Sequence, residues 1–292
     1  MKYTVVIIRP PNYKFSDCFL EVADAVTFGI RRMGHECELI ENALRKDTQH
    51  ILFGAHLLGD SALPPGSIIY NLEQVGGGNI GNTVALAKDC TVWDYSKKNI
   101  ADWKPLGIEA IHVPFCYVPE LTRITKPIEQ DIDVLFYGSL NERRQKVIDG
   151  LKAAGLKVEV RINNTYRDEL TALMACAKVI LNVHYYESKV FEIVRVGYAL
   201  ANKKAVVSEE SADWMDYPHL QNAVCTVPYD GLVEACSDLV SHDFQRECLE
   251  IGGFTWYASV TEMNALERAG VENLCHWQTV EPVRSPEITE LA

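Results

Sequence analysis

Short apolar runs alternate with helical spacings of apolar residues through the first part of the chain. Residues 4–8 form a continuous, mainly β-branched run, as a strand buried on both faces of a parallel sheet requires. Apolar side chains then recur at helical spacing over residues 16–33, and Gly34 follows as a helix C-cap. Further short runs predict strands near residues 37–40, 50–53, 67–72, 91–93 and 110–113. Strands that alternate with helices indicate βαβ units and a mostly parallel sheet.

A second alternation follows a polar, proline-marked stretch at residues 119–131, which is the predicted linker. The pattern predicts strands at 134–137, 157–161, 179–183 and 205–208, with helices at 141–154, 166–176 and 191–201 between them. We therefore predict an α/β protein with two Rossmann-like domains in tandem, residues 1–120 and 128–280, and a tail at 281–292. Two such domains place a cleft between the carboxyl ends of their sheets, where open α/β sheets bind ligands.

The net charge of −12 argues against a nucleic-acid partner, because phosphates need a basic protein face. Anionic membrane surfaces are disfavoured for the same reason. The start of the chain is strand-like and does not have the pattern of a signal peptide, and no apolar stretch reaches the ~18 residues of a membrane span. The nine cysteines form no C-x-x-C pair. These observations predict a cytoplasmic protein.

The most informative segment for chemistry is 178–209, where a buried strand runs into polar residues and then a helix. Six polar residues follow the strand: His184, Tyr185, Tyr186, Glu187, Ser188 and Lys189. A phosphate suits the helix start, where backbone N–H groups are free, and Lys189 adds charge. The Glu192 carboxylate can accept two hydroxyl hydrogens of a ribose or sugar. Alternatively, Glu192 only complements the helix dipole and pairs with Arg195.

A second motif, at residues 133–151, has a strand ending at Gly138-Ser139 and a helix that carries Arg143 and Arg144. Glycine lets the backbone approach a ligand closely, and arginine offers a planar fork for phosphate oxygens. The alternative is an amphipathic helix with a solvated basic face. Arg161 and the turn after it follow the next predicted strand.

Segment 178–209 resembles the C-domain signature of GT-B glycosyltransferases, especially the compact, spore-maturation-type group. The matching residues are Lys189-Val190-Phe191-Glu192 and Val206-Val207-Ser208. The resemblance implies that Glu192 holds the nucleotide ribose and that Gly138 with Arg143 or Arg144 meets the donor diphosphate. It places the loop at Arg161 beside the nucleobase and the acceptor on the N-terminal half.

The chain departs from the E-x7-E pattern of the retaining families. Eight residues before Glu192 stands His184, and Glu187 is out of register. Inversion and retention therefore both remain open.

In the N-terminal half, Glu73 follows a predicted strand and is a candidate general base for an acceptor hydroxyl, or else an ordinary loop residue. Asp94 either reaches the cleft or caps the helix from Ser96, itself a good N-cap. Residues 76–81 satisfy G-x-G-x-x-G, which suggests an NAD-type site as an alternative. That motif is not on the first strand, where the fold normally places it.

We predict a metal-independent glycosyltransferase that moves a sugar from a nucleotide-diphosphate sugar to an unidentified soluble acceptor. No Asp-x-Asp stands in the strand-end loops, and no bound cofactor is expected. An NAD-type oxidoreductase and a catalytically inactive GT-B-shaped binding protein are the alternatives. The candidate catalytic residues are His184 and Glu73. The candidate donor-binding residues are Gly138, Ser139, Arg143, Arg144, Arg161, Glu187, Ser188, Lys189 and Glu192.

Overall fold

The computed structural model describes residues 1–59, 63–76, 80, 82–125, 127, 129–162, 165–217 and 219–275. The strands are β1 (Lys2–Ile7), β2 (Glu36–Glu41), β3 (Gln49–Phe53), β4 (Ile68–Asn71), β5 (Thr91–Asp94), β6 (Ala110–His112), β7 (Ile132–Tyr137), β8 (Val158–Arg161), β9 (Ala177–Asn182), β10 (Ala205–Glu209) and β11 (Cys225–Val227). The α-helices are α1 (Leu20–Arg32), α2 (Thr83–Leu86), α3 (Lys97–Trp103), α4 (Glu142–Ala153), α5 (Arg167–Cys176), α6 (Ile193–Ala201), α7 (Leu232–Ser241), α8 (Asp243–Ala258) and α9 (Glu262–Arg268). None of the helices in these ranges has the length and apolarity needed to cross a membrane.

Within the described residues the strands form two sheets, and every strand pair is parallel. The first sheet has the order β2-β1-β3-β4-β5-β6, and the second β11-β10-β9-β7-β8. In the first sheet β1 lies between β2 and β3, and in the second sheet β7 lies between β8 and β9. Strand order therefore reverses beside β1 and beside β7, and ligands of open α/β sheets bind at such reversal points.

The hydrophobic pattern explains where the elements pack. In β1, residues 3–7 are all buried, as the continuous apolar run predicts. Helix α1 buries its apolar stripe and ends before Gly34, whose φ of +89° is the left-handed conformation of a helix C-cap. The helix predicted at 16–33 begins with a 3-10 turn at Ser16–Phe19 and continues as α1 from Leu20, and the other predicted strands and helices lie within two residues of their expected ends.

One boundary matters for the site. The helix predicted at 191–201 begins at Ile193, because Glu192 is its N-cap residue and has non-helical backbone angles. The Glu192 side chain thus lies at the junction of loop and helix.

The predicted linker is anchored to both halves of the molecule. The side-chain oxygen of Asn202, which caps α6, accepts hydrogen bonds from the backbone N–H groups of Arg123 and Ile124 at 2.7 and 2.9 Å. The Arg123 guanidinium in turn pairs with Asp24 on α1 at 2.7 Å. The linker therefore joins the end of α6 to α1.

The last described helix packs against the first half of the chain. Helix α9 contacts α1, and Glu262 accepts a hydrogen bond from the backbone N–H of Cys116 at 2.9 Å. Tyr117 and Thr261 form a parallel bridge. The division at residues 1–120 and 128–280 stays a prediction, and the tail at 281–292 lies outside the described residues.

Candidate active site

A cleft of about 470 Å³ lies between the carboxyl ends of the two sheets. Both halves of the chain line it. The first half contributes Tyr13, Phe15, Cys18, Glu21, Leu72, Glu73, Gln74 and Tyr95. The second half contributes Tyr137, Gly138, Ser139, Arg161, Thr165, Tyr166, Leu170, Tyr186, Glu192, Val194, Arg195 and Tyr198. Among the predicted site residues, the cleft therefore brings together Glu73, Gly138, Ser139, Arg161 and Glu192.

Gly138 directly follows β7, at the point where strand order reverses. Its φ of +132° is a conformation that side-chain-bearing residues rarely adopt. A Cβ atom at this position would lie only 2.7 Å from a guanidinium nitrogen of Arg195. Glycine here therefore lets the Arg195 side chain lie against the strand end, beside the cleft.

Glu192 is the carboxylate around which the second half of the site is built. Its oxygens lie 2.8 Å from Nδ1 of His184, 3.1 Å from the Asn182 amide and 3.5 Å from the Arg144 guanidinium. Burial by itself would raise the pKa of Glu192, but the hydrogen bond from His184 and the charges of His184 and Arg195 lower it to about 2. The side chain is ionised at neutral pH and 18% exposed, so it presents hydrogen-bond acceptors to the cleft.

His184 lies beneath Glu192 and does not line the cleft. Its side chain is 1% exposed. One ring nitrogen faces the Glu192 carboxylate, and the other lies 3.1 Å from the carbonyl of Glu210 and 3.1 Å from the Ser211 hydroxyl. The imidazole thus lies between the carboxylate of Glu192 and the backbone carbonyl of Glu210. In this arrangement His184 holds the carboxylate in place.

The predicted donor-binding cations are divided between the cleft and its surroundings. Arg143 and Lys189 both pair with Glu209, which is 1% exposed. Arg143 also lines a shallow outer depression together with Glu187. Of the predicted cations, Arg161 lines the cleft, and its guanidinium pairs with Glu159 at 3.0 Å.

Arg144 is buried and supports the loop that follows β7. It donates to the carbonyls of Val183 and Ser139, each at 2.8 Å. Burial, and after it the charge of Arg195, lowers the pKa of Arg144 to about 9. Arg195 itself donates to the Asn182 side chain at 2.8 Å and lines the cleft. Two cationic groups thus lie close together beside Gly138.

Sequence reasoning overlooked Asn182 and Glu209, which organise the predicted residues. Asn182 is the last residue of β9 and donates to Glu192 and to the Ser208 hydroxyl. Glu209 ends the neighbouring β10. Both residues could have been found in the sequence, because each is a polar residue at the end of an apolar strand. The carboxyl ends of parallel strands meet at one edge of the sheet, so two such residues are expected to lie close together.

Glu73 lies on the opposite wall of the cleft. Its carboxylate oxygen is 3.7 Å from Nε2 of His56. Burial raises the pKa of Glu73 and lowers that of His56, so both side chains shift towards their neutral forms. The backbone carbonyl of Glu73 accepts hydrogen bonds from Asn71 and Asn99 at 2.8 and 2.9 Å. The loop that carries this carboxyl is therefore fixed to its own sheet.

Asp94 is buried beneath the same loop. It accepts hydrogen bonds from the side chains of Asn71, Asn99 and Trp103 and from the backbone N–H of Ser96. Burial raises the pKa of Asp94 to about 6, although these hydrogen bonds lower it. Of the two alternatives for Asp94, the structure shows the second. Asp94 stabilises the start of α3, where Ser96 is the N-cap residue.

A hydrogen bond joins the two sides of the cleft. The Ser188 hydroxyl donates to the Gln74 side chain at 2.7 Å. The G-x-G-x-x-G motif lies close by in sequence, but its residues 77–79 and 81 are outside the described part of the chain. Across the described ranges, no group of three or more His, Cys, Asp or Glu residues has a metal-binding arrangement.

Sequence comparison finds relatives in Acanthamoeba polyphaga mimivirus. Uncharacterized protein L140 is 28% identical over 162 residues, which are 53% of this chain and 52% of L140. Uncharacterized protein L138 is 30% identical over 129 residues, 42% of this chain and 15% of L138. The chain thus spans about half of L140 and a smaller part of L138. No protein-family model matches the chain.

Comparison with solved structures identifies the fold. AviGT4, a glycosyltransferase involved in avilamycin A biosynthesis, matches with a TM-score of 0.59, covering 93% of this chain and 96% of AviGT4 at 13% identity. Anabaena HepE, solved with UDP-glucose, matches with a TM-score of 0.58, covering 91% and 98% at 10% identity. A mutant of T4 phage BGT in complex with UDP-glucose gives 0.57, covering 93% and 97% at 12% identity. The chain therefore has the GT-B fold, which confirms the predicted tandem of Rossmann-like domains.

Proposed function

We propose that this protein is a glycosyltransferase that moves a sugar from a nucleotide-diphosphate sugar to an acceptor hydroxyl or amine. The observation that carries the proposal is the position of Glu192, an ionised carboxylate in the interdomain cleft at the reversal point of the second sheet. The solved GT-B structures named above include two with UDP-glucose. The ligand of those two structures makes a nucleotide sugar the first candidate for this cleft.

The residues of the second half suit the donor. Glu192 accepts hydrogen bonds from two hydroxyl groups of the ribose or sugar, and His184 acts through it as a positioning residue. The backbone at Gly138 and Ser139 and the guanidinium groups of Arg195 and Arg161 bind the diphosphate. Their charges stabilise the leaving group, whose negative charge grows in the transition state.

Arg143, Arg144 and Lys189 support these groups. Arg144 fixes the Ser139 carbonyl and the Glu192 carboxylate. Arg143 and Lys189 neutralise the buried Glu209. Ser188 and Glu187 belong to the loop between β9 and α6, which Ser188 connects to the first half through Gln74.

The chemical step exchanges one bond at the anomeric carbon for another. The acceptor oxygen or nitrogen forms a bond to that carbon, and the bond from the carbon to the β-phosphate oxygen breaks. The nucleoside diphosphate leaves with the electron pair. The acceptor proton passes to a carboxylate on the first half, for which we assign Glu73 because it lines the cleft and is buried enough to have a raised pKa.

The test is nucleotide binding by calorimetry and melting temperature, with UDP, GDP, dTDP and NADH as separate probes. We expect one nucleoside diphosphate to bind, and at 100 times its Kd to stabilise the fold by about 2.7 kcal/mol. NADH should not stabilise it. Stabilisation by NADH alone would support the oxidoreductase alternative. Nucleotide binding without hydrolysis or transfer of any nucleotide sugar would indicate an inactive binding protein.

We further propose that the transfer needs no divalent cation, because Arg195 and Arg161 supply positive charge beside the proposed diphosphate position. Donor hydrolysis or transfer should continue in EDTA at an unchanged rate. Complete loss of activity that Mg²⁺ or Mn²⁺ restores would contradict this.

A further inference from the structure

The wall of the cleft formed by the first half of the chain is acidic and aromatic. Its charged lining residues are Glu21 and Glu73, and none of its lining residues is Lys or Arg. Tyr13, Phe15 and Tyr95 supply rings on the same wall. The facing wall carries Arg161 and Arg195. The two walls therefore favour ligands of different charge.

Glu21 is unusual among the lining residues. It lies in the first turn of α1 and is 7% exposed. Its Oε1 atom is buried and has no hydrogen-bond partner among the described residues. A buried polar atom without a partner destabilises a fold, so such an atom beside a cleft indicates a ligand that supplies the missing donor.

The groups around Glu21 leave its carboxyl able to accept hydrogen bonds. Arg123 lies nearby, but its guanidinium is paired with Asp24 at 2.7 Å. Arg167, at the start of α5, is the other cation that acts on the carboxyl. Burial raises the pKa of Glu21 to about 7, although its own backbone N–H and Arg123 act in the opposite direction. Within the part of the chain that the structure describes, no cation is bonded to Oε1.

Tyrosine rings from the second half of the chain complete the surroundings of Glu21. Tyr137, Tyr166 and Tyr198 line the same cleft and are close enough to Glu21 to be affected by its charge. The Tyr198 hydroxyl is already bonded to Thr171 at 2.9 Å, which fixes its ring. A carboxyl among aromatic rings suits a compound with an apolar face and an edge of hydroxyl or ammonium donors. A sugar ring has this character.

We propose that Glu21 and Glu73 form the acceptor subsite, and that the acceptor is a sugar that presents hydroxyl or ammonium groups and carries no anionic group. This inference rests on the proposed glycosyl transfer. Phosphorylated sugars and nucleic acids are disfavoured because their phosphates need cationic partners, and the lining residues of this wall include no Lys or Arg.

The experiment uses the protein saturated with the nucleoside diphosphate that binds it. Glucosamine, galactosamine and their N-acetyl forms are titrated by calorimetry against glucose 6-phosphate and a short single-stranded DNA. At least one uncharged or amine-bearing sugar should bind, and tenfold or more tightly than glucose 6-phosphate or DNA. Equal or tighter binding of either anionic probe, or binding of no sugar, overturns the inference.

Two variants test the assignment of Glu21. E21Q should weaken binding of the preferred sugar at least tenfold and leave nucleotide affinity unchanged. Glu36→Gln is the matched control, because Glu36 is 75% exposed and pairs with Lys2 far from the lining residues. Unchanged sugar binding in E21Q overturns the role of Glu21. If E21Q does not fold, Glu73→Gln must reduce the preference for uncharged over phosphorylated sugar, and an unaltered preference rejects the subsite.

These outcomes are separable from failure of the proposed function. Absence of nucleotide binding by the wild type rejects the glycosyltransferase assignment. Nucleotide binding combined with a preference for the phosphorylated sugar rejects only the acceptor inference.

Discussion

At the scale of single residues, the site depends on a carboxylate that is held ionised in a largely buried position. Glu192 gains a hydrogen bond from His184 and positive charge from Arg195, and these outweigh the effect of burial on its pKa. Because its folded pKa is below the unfolded value, its contribution to stability is present above the unfolded pKa. That contribution is lost as the pH falls towards 2. At neutral pH the carboxylate is available to ligand hydroxyl groups.

Glu192→Ala should weaken nucleotide-sugar binding by tenfold to a hundredfold, since a charged hydrogen bond to a ligand is worth about 1.5–3 kcal/mol. Calorimetry with the nucleotide measures the change. Glu234→Ala is the control, because Glu234 also lies in the first turn of a helix but is exposed on α7. If the Glu192 variant binds nucleotide like the wild type and only melts earlier, the role of Glu192 is structural.

Gly138→Ala should reduce both stability and nucleotide affinity. Its positive φ disfavours a side chain by about 1–3 kcal/mol, and the new methyl group would displace Arg195 from beside the strand end. Gly155→Ala provides the comparison, since Gly155 also has a positive φ, of +83°, but no atom within 4 Å of its would-be Cβ. Both variants should melt earlier in thermal denaturation, whereas only Gly138→Ala should lose nucleotide affinity. Equal affinities would show that Arg195 does not contact the nucleotide.

At the scale of elements, the side chain of Asn202 connects the linker to the end of α6. Asn202 accepts hydrogen bonds from two linker N–H groups and donates to the carbonyls of Leu121 and Tyr198, both at 2.9 Å. It is 3% exposed, so water cannot replace these bonds freely. The end of α6 is thereby tied to the segment that joins the two sheets.

Asn202→Ala should lower the free energy of unfolding by about 3 kcal/mol, because several buried backbone groups lose their partners at once. Urea denaturation measures this loss. Asn202→Asp, which keeps the acceptor oxygen but not the donor, should fall between the wild type and the alanine variant. An alanine variant as stable as the wild type would show that the linker does not depend on this contact.

At the scale of the whole molecule, α9 returns to the first half of the chain through a buried acid. Glu262 is 0% exposed, and one oxygen accepts the Cys116 N–H while the other is without a partner among the described residues. Burial raises the pKa of Glu262 to about 8, although the Cys116 bond lowers it. The contact between α9 and the rest of the fold therefore favours a protonated carboxyl.

This contact predicts a fall in stability as the pH rises from the acidic range towards about 8. A folded pKa above the unfolded value gives stability that is complete below the unfolded pKa and is lost as the pH rises through about 8. The loss is on the order of a few kcal/mol, since one pH unit of difference is worth about 1.4 kcal/mol. Glu262→Gln, which keeps a neutral acceptor, should flatten the decline that denaturation experiments measure between pH 4.5, the ordinary pKa of a glutamate, and about 8. The same decline in the variant would assign it to other groups.

The sequence by itself determined the elements and the edge of each sheet that carries polar groups. Strands 4–8 and 179–183 could be predicted because burial on both faces demands continuous apolar runs, and helix 16–33 because one apolar stripe recurs with the helical period. The positions of Gly138 and Glu192 at the cleft could be predicted because residues that follow such strands lie at the carboxyl edge of a parallel sheet. These inferences need only a few neighbouring residues.

Only the tertiary structure decided which charges face the cleft and which neutralise one another. Arg143, Arg144, Arg161 and Lys189 look alike in the sequence, yet only Arg161 of these four lines the cleft, while Glu209 pairs with Arg143 and Lys189 from the end of another strand. Glu21, in a helical turn without a distinctive motif, lines the cleft because the two halves close over it. The physical reason is range: periodicity reflects burial along one element, whereas pairing and exposure of a charge depend on residues distant in the chain.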